Sequence, residues 1–374
     1  MNKKIYLDNN ATTIIDKDVL KIICDDFYPA NPSSTHFFGR LAKKNLLEAK
    51  SIIAKFLKVE ADSLIFTSGG TEAVNLAIRG LIENLPKSHI IATKTDHACV
   101  YNTLKYLEKK GHEITYLEST IDNVLNENQI KSSIKENTKL IVTSYVNSET
   151  GLKIDIEKTA ALAKQLGIYL AIDGVAALGK ELFNIPDGVT TMAFSSHKIH
   201  GPKGIGLCYV KKNIKMSPIL FGGPQENQIR PGTENLSAIL GFAKAVDLLN
   251  DHLPKATENM RKLRDHFEAS LKAQFPEIKI NGTVNRICNV SNICFTGIDA
   301  ENLLILLDQN NVMASYGSAC ASGSATLSRA LLNLGIDPKD VKSSIRFSLS
   351  RNTTIEEIDE AIKIIIKLVQ RLKK

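Results

Sequence analysis

The sequence of 374 residues holds no apolar run approaching the roughly 18 residues that a membrane-spanning helix requires. Its first residues, Met1-Asn2-Lys3-Lys4-Ile5-Tyr6-Leu7-Asp8, lack the apolar stretch of a secretory signal. The protein is therefore expected in the cytoplasm. Six cysteines (Cys24, Cys99, Cys208, Cys288, Cys294 and Cys320) show no metal-ligand spacing, since the closest pair, Cys288 and Cys294, has no second pair to complete a site. They are expected as reduced thiols. There is no internal repeat, low-complexity tract or evident linker. Nor is there a block of basic residues interleaved with aromatics, so the net charge of +7 describes a solvated surface biased toward anionic ligands or acidic partners, not a nucleic-acid groove. With 43% hydrophobic and 23% charged residues the chain is globular and long enough for two packed domains.

Between about residues 63 and 210, short β-rich runs alternate with helical patterns: Leu64-Ile65-Phe66-Thr67, His89 to Thr93, Leu140 to Val146, Ile168 to Ile172 and Thr191 to Phe194. Continuous apolar strands separated by helices predict a mostly parallel sheet covered on both faces. Ligands of such sheets bind at the carboxyl ends of the strands. Beyond Leu236 the pattern changes to two long helical stretches, one through Asp251 and one from Lys255 to Gln274. Strands near Ile278 to Ile280, Val290 to Phe295 and Ser344 to Leu349 follow, with an amphipathic terminal helix from about Thr354 to Leu372. The domain division expected is 13–250 for a large cofactor-binding domain, with 1–12 and 251–374 forming a smaller α+β domain.

Three constellations sit just after predicted strands. Met192-Ala193-Phe194-Ser195-Ser196-His197-Lys198 ends an apolar strand on a His-Lys pair, followed by Ile199-His200-Gly201-Pro202. Such a turn holds one amine in place, as a lysine must be held to form a Schiff base with an aldehyde cofactor. A solvated turn lysine is the plainer alternative. Thr67-Ser68-Gly69-Gly70-Thr71-Glu72 opens a helix, where small residues let the backbone close on an anion and the first N–H groups bind phosphate. A routine helix cap has the same composition. The nucleotide P-loop is excluded, because no lysine follows the last glycine. Asp173 follows the strand Leu170-Ala171-Ile172, where a carboxylate keeps a pyridinium nitrogen protonated and makes the ring an electron sink. A capping aspartate is again the plainer alternative. Phosphate loop, aspartate and lysine in this order at strand ends together indicate pyridoxal 5′-phosphate.

With these motifs the chain resembles the cysteine desulfurases of the NifS/IscS type, within the class-V aminotransferase family of fold-type-I pyridoxal phosphate enzymes. The resemblance runs from Tyr6-Leu7-Asp8-Asn9-Asn10-Ala11-Thr12-Thr13 through Asn31-Pro32-Ser33-Ser34 to Arg346-Phe347-Ser348-Leu349. It implies an α/β fold with a mostly parallel seven-stranded sheet in the large domain. It also implies site roles. His97, in Thr95-Asp96-His97-Ala98, matches the histidine that stacks on the cofactor ring and moves protons. Asn147, in Val146-Asn147-Ser148-Glu149-Thr150-Gly151, matches the residue beside the ring's phenolic oxygen and the substrate. Thr71, Ser195 and His197 match phosphate ligands, with Gly70 in the same loop. Thr233, in Arg230-Pro231-Gly232-Thr233-Glu234-Asn235, matches a threonine that reaches the phosphate of the other subunit, implying a homodimer with shared sites. Arg346 matches the arginine that holds the substrate carboxylate, a task suited to its planar fork.

The segment Tyr316-Gly317-Ser318-Ala319-Cys320-Ala321-Ser322-Gly323-Ser324-Ala325 resembles the signature of the longer-loop desulfurases. One cysteine stands in a run of small residues, the composition of a mobile loop, and no large apolar residue is at hand to bury it. The implied reaction removes sulfur from L-cysteine, leaving L-alanine and a persulfide on Cys320. That sulfur is destined for an acceptor protein, such as an iron-sulfur scaffold, in iron-sulfur cluster or thio-cofactor biosynthesis. Lys198 removes the α-proton and His97 is the candidate to take the proton of the Cys320 thiol. One departure stands out: where the family carries a glutamine three residues after the aspartate, this chain has Ala176, one hydrogen-bond donor fewer. The chain also ends at Lys374 without the longer tail of scaffold-dedicated members, so docking through such a tail is not expected. The rival readings are a selenocysteine lyase or another lyase or aminotransferase of the same fold, and a non-catalytic sulfur-relay scaffold.

Overall fold

The computed structural model describes residues 4–26, 30–317 and 327–373. Among the described residues, twelve strands are distributed over three sheets. The shortest sheet pairs β1 (Ile5–Tyr6) in parallel with β11 (Val312–Met313). The largest is built from β2 (Leu64–Thr67), β3 (His89–Thr93), β4 (Glu113–Leu117), β5 (Thr138–Ser144), β6 (Tyr169–Asp173), β7 (Thr191–Ser195) and β8 (Gly206–Val210). Their order is β2-β8-β7-β6-β5-β3-β4. Neighbours from β4 to β7 run parallel, while β8 is antiparallel to both β7 and β2.

That one reversed strand has a consequence for the site. Because β8 opposes both neighbours, β2 and β7 point the same way, and Gly206 pairs with Thr67 on one side and Ser195 on the other. The carboxyl ends of β2, β3, β5, β6 and β7 therefore open on one edge. Gly206 has to be glycine: a Cβ there would lie 2.5 Å from the backbone carbon of Gly69.

Helices cover both faces, as the buried runs of β2, β3, β6 and β7 require. On one side lie α1 (Lys17–Asp25) and α2 (Phe37–Leu57), packed on the long helix Leu236–Gln274. On the other, α3 (Gly70–Ile82) and α4 (Ala98–Lys109) bury Val74, Leu76, Ala77, Val100 and Leu104 against Ile65, Ile90, Val142 and Ala193. The two helical stretches expected on either side of residue 254 are one 39-residue helix. Pro254 removes one backbone donor, but Leu249, Leu253, Met260 and Leu263 on both sides of it are buried in a common core, and that burial carries the helix through. The expected division at 250/251 falls inside this helix.

The third sheet, in the order β12-β10-β9, joins β9 (Lys279–Ile280), β10 (Val290–Cys294) and β12 (Ser344–Ser348) in antiparallel pairing. The terminal helix Ile355–Leu372 opens with a capping box between Thr354 and Glu357 and buries Ile358, Ile362, Ile365 and Val369. No helix among the described residues is long and apolar enough to cross a membrane.

Candidate functional site

A cavity of about 190 Å³ opens at the carboxyl edge of the large sheet. Gly70, Thr71, His97, Asp173, Ser195, His197, Lys198 and Arg346, all singled out by sequence, line it together. Each arrives from the end of an element. Asp173 is the last residue of β6 and Ser195 the last of β7, with His197 and Lys198 in the 3₁₀ turn that follows. Gly70 and Thr71 form the first turn of α3, and His97 is the N-cap of α4.

The Lys198 ammonium donates to the backbone carbonyl of Ala11 at 2.9 Å and to that of Asn10. Residues 10–13 thus form a floor beneath the turn. Thr13 donates through both its N–H and its hydroxyl to the His197 carbonyl, at 3.0 and 2.9 Å. The His197 Nδ1 lies 3.1 Å from the Thr12 hydroxyl. Burial, then the positive charges of Lys198, Lys180 and Lys203, hold the His197 imidazole down to about 4, so at neutral pH it is an uncharged ring.

Asp173 lines the cavity. Burial pushes its carboxyl up to about 6, against the opposing pull of the Val175 N–H, which donates to it at 2.9 Å, and of Lys198. A carboxylate so placed is stabilised by a cationic partner. The Ser195 hydroxyl is buried with no hydrogen-bond partner among the described residues. Gly70 lies directly across from it: a Cβ on residue 70 would meet Val175 at 3.1 Å and Ser195 at 3.3 Å.

Arg346, 2% exposed, donates from Nη2 to Asp8 at 2.8 Å and from Nη1 to the Ser148 carbonyl at 3.2 Å. Its Nε is buried without a partner among the described residues. An orphaned guanidinium N–H and an orphaned hydroxyl on one cavity wall cost stability unless a ligand meets them. The donor set fits pyridoxal phosphate: an anion end at Gly70, Thr71, Ser195 and His197, a carboxyl at Asp173, an amine at Lys198, and a separate cation at Arg346 for a second acid group.

Asn147 is placed differently. Its Oδ1 accepts from the N–H groups of Glu149 and Thr150 and from the Thr150 hydroxyl, and its Nδ2 donates to the Thr95 carbonyl at 2.9 Å. Its neighbours Val146 and Ser148, not Asn147 itself, line the cavity. The side chain ties the β5 loop to the loop carrying His97, with one Nδ2 hydrogen left to offer. Thr233 is exposed and lines a different cavity, beside Ser68, Arg230 and Glu234, outside this chain's own site. Ala176 lies on the main cavity wall and brings only a methyl group. Cys320 falls outside the described residues.

Four residues that sequence reasoning did not select belong to the same cavity or its frame. Asp8 fixes Arg346, and Asn10 supplies a carbonyl to Lys198. Cys99 lines the wall beside His97. Lys180 is buried and donates to the Lys198 carbonyl at 2.9 Å, and burial followed by the charge of Lys198 depresses it to about 7. The signal in the sequence was slight: a lysine in Gly179-Lys180-Glu181, a short way past Asp173, reads as surface.

A parallel sheet with one reversed strand, carrying a lysine turn, a strand-end carboxyl and an anion loop at a single edge, defines a pyridoxal phosphate enzyme of the fold-type-I class. The aminotransferase class-V family profile matches residues 5–361, and the chain belongs to that family, whose members are pyridoxal phosphate enzymes. It is 40% identical over 375 residues to a cysteine desulfurase of Nostoc sp., covering 99% of this chain and 94% of the relative. A NifS-like protein of known structure superposes with a TM-score of 0.92 at 29% identity, covering 99% of this chain and 100% of that one. SspA, solved in complex with cysteine, superposes with a TM-score of 0.81 at 29% identity over 94% of this chain and 100% of its own.

Proposed function

We propose that this protein is a pyridoxal phosphate-dependent cysteine desulfurase, taking sulfur from L-cysteine, releasing L-alanine and carrying the sulfur as a persulfide on Cys320. The observation that carries the reading is the convergence of Lys198, Asp173, the orphaned Ser195 hydroxyl and the orphaned Arg346 Nε on one cavity in a chain similar to desulfurases along its length. When bound, the cofactor supplies an electron sink for the substrate α-carbon.

The chain's own residues do the rest. Gly70, Thr71, Ser195 and His197 hold the phosphate, with Thr233 of a second copy completing the cradle in a homodimer. Asp173 would hold the protonated ring nitrogen, a cationic partner for its carboxylate. Arg346, its fork fixed by Asp8 and Ser148, takes the substrate carboxylate. Lys198, held over the Asn10 and Ala11 carbonyls, is the amine that holds the cofactor and, once released from it, the base for the α-proton. His97, on the cavity wall, would lie against the ring. The Cys320 thiolate attacks the substrate sulfur: an S–S bond forms, the Cβ–S bond breaks, and its electron pair stays with the carbon skeleton, which takes up protons to become alanine. The persulfide then passes to an acceptor protein, of which an iron-sulfur scaffold is the expected kind.

The test is spectroscopic and chemical. The loaded protein should show a visible absorption band that L-cysteine bleaches, with alanine and, in the presence of a dithiol reductant, sulfide released in equal amounts. Cys320→Ala should keep the band and still bind cysteine while releasing neither product. Normal turnover in that variant would overturn the reading.

A further inference from the structure

Glu149 carries a buried carboxyl that the reaction described above does not use. Its backbone is fixed at two points: the N–H donates to Asn147 Oδ1 at 3.0 Å, and the carbonyl accepts from Asn292 Nδ2 of β10 at 3.1 Å. The adjoining Ser148 lines the main cavity and its carbonyl accepts from Arg346, so Glu149 stands one residue behind the cavity wall. Glu149 Oε2 accepts from the Ser328 hydroxyl at 2.5 Å. Ser328 is in turn the N-cap of the short helix Arg329–Asn333, its oxygen accepting from the Leu331 N–H at 3.1 Å. Gly317 lies against the same two groups: a Cβ there would stand 3.7 Å from the Ser328 Cβ and 3.8 Å from Glu149 Oε2. Two residues earlier, Ser315 exchanges both backbone bonds with Arg346, at 2.8 and 3.1 Å. Burying a carboxyl to satisfy one hydroxyl gains little stability, since an apolar pair of the same shape does as well. What the pair adds is a fixed position, and the position lies on both sides of Cys320 in the sequence.

We propose that Glu149 is a positioning residue for the sulfur-carrying step: through Ser328 it holds residues 317 and 328 together behind the cavity wall, so that Cys320 works from a short tether. Cys320 is the third residue after Gly317, and three residues of fully extended chain span no more than about 11 Å. That limit keeps the thiol at high effective concentration beside the cavity. Without the Glu149 bond Ser328 is no longer fixed against Gly317. The last hydrogen-bonded anchor before Cys320 is then the Ser315–Arg346 pair, five residues and up to about 18 Å away. Arg329 still donates to the Lys94 and Asp96 carbonyls, which keeps the following helix docked, so the loss is one of aim and not of fold. This deepens the desulfurase reading and rests on it for the purpose of the tether, although the Glu149–Ser328 contact does not.

Two measurements on the cofactor-loaded protein test it. Glu149→Ala and Ser328→Ala should each leave the visible band, its bleaching by L-cysteine and KM as in the parent, while the single-turnover rate of alanine formation drops about tenfold. The double variant should fall no lower than the lower single, because the two groups act as one. Glu149→Gln, which keeps an oxygen for the Ser328 hydroxyl, should recover most of the rate. Unchanged rates, additive losses, or a raised KM with the rate kept would overturn the proposal, the last by placing Glu149 with Arg346 in substrate binding. Should Glu149→Ala fail to hold cofactor, Ser328→Ala alone decides by the same split. The second measurement needs no turnover: hydrogen exchange of the Leu331 amide, capped by Ser328, should quicken in Glu149→Ala and slow again in Glu149→Gln, and exchange indifferent to both also overturns it. A parent protein with a protected Leu331 amide that releases no alanine from cysteine would sink the functional reading, and the purpose of the tether with it, while leaving the contact in place.

Discussion

At the scale of single residues, Asp173 sits in an environment that disfavours its charged form without a ligand. Its folded-state acidity lies near 6 against an ordinary value of 3.8, with burial as the leading cause. The cofactor-free folded protein therefore binds a proton there that the unfolded chain has already released. Between these two values stability falls as pH rises, and above 6 the whole cost remains, on the order of 1–3 kcal/mol. Asp173→Asn keeps the acceptor for the Val175 N–H and removes the charge. Cofactor-free Asp173→Asn should unfold at higher urea concentration than the parent at pH 8, the gap closing toward pH 4, while its affinity for pyridoxal phosphate drops. A variant no more stable at pH 8 than the parent would refute the account. Lys198 and Asp173 were legible in the sequence because each stands at the end of an apolar strand, where a parallel sheet puts its ligand, whereas Ser195 and His197 were picked out by the family resemblance. Asp8, Asn10 and Lys180 were not. Asp8 acts through a partner 338 residues away, and Asn10 acts through its backbone carbonyl, which no side-chain motif marks.

At the scale of elements, the segment leading to Thr233 is held in an unusual way. Glu226, Asn227 and Gln228 all take left-handed backbone conformations, with φ of 46°, 57° and 64°, an expensive run for residues with side chains. It is anchored by the buried Glu226 carboxylate, which accepts from Lys50 of α2 at 2.9 Å and from the Phe66 N–H of β2 at 3.0 Å. Lys50→Met leaves that carboxylate buried with one partner and should destabilise by roughly 3–5 kcal/mol. Glu226→Gln, which keeps an acceptor for Phe66, should cost less. Urea unfolding of both variants checks the pair, and a loss under about 1 kcal/mol for Lys50→Met would show that the ion pair does not hold the turn. None of this was visible in the sequence, where Pro224-Gln225-Glu226-Asn227-Gln228 reads as an ordinary polar turn. The core strands β2, β3, β5, β6 and β7 were visible by their apolar runs, whereas the buried β8 was not singled out. β4 was not, because its residues Glu113 to Tyr116 are exposed or half-buried and include Glu113, Thr115 and Tyr116.

At the scale of the whole molecule, Thr233 lies away from the cavity formed by its own chain, while every other described phosphate candidate lines it. A homodimer that exchanges this threonine makes a definite arithmetic. Chains carrying Lys198→Ala and chains carrying Thr233→Ala should each be impaired alone, the first inactive and the second weak in holding cofactor. Mixed dimers contain one site with both residues intact and should recover up to about half of the parent activity per dimer. No recovery, in dimers shown by mass to be mixed, would place Thr233 outside the shared site. The fold class followed from the alternation of strands and helices, and the reversal of β8 did not, since the sequence of an antiparallel strand buried between two others has the same apolar look as a parallel one.

The floor of the cavity has a further consequence, in the order of synthesis. Residues 8–13 hold Arg346, Lys198 and His197, yet their own places are fixed by the pairing of the preceding strand, Ile5–Tyr6, with Val312 and Met313 and by the bond from the Asn10 N–H to Ser348, 338 positions later. At a ribosomal pace of about 5–20 residues per second, that segment waits roughly 15–60 s for its partners. The large sheet has every residue it needs long before then. Cofactor capture is therefore expected to be the closing event of biogenesis, and nascent chains stalled before residue 312 should fold a sheet that does not retain pyridoxal phosphate.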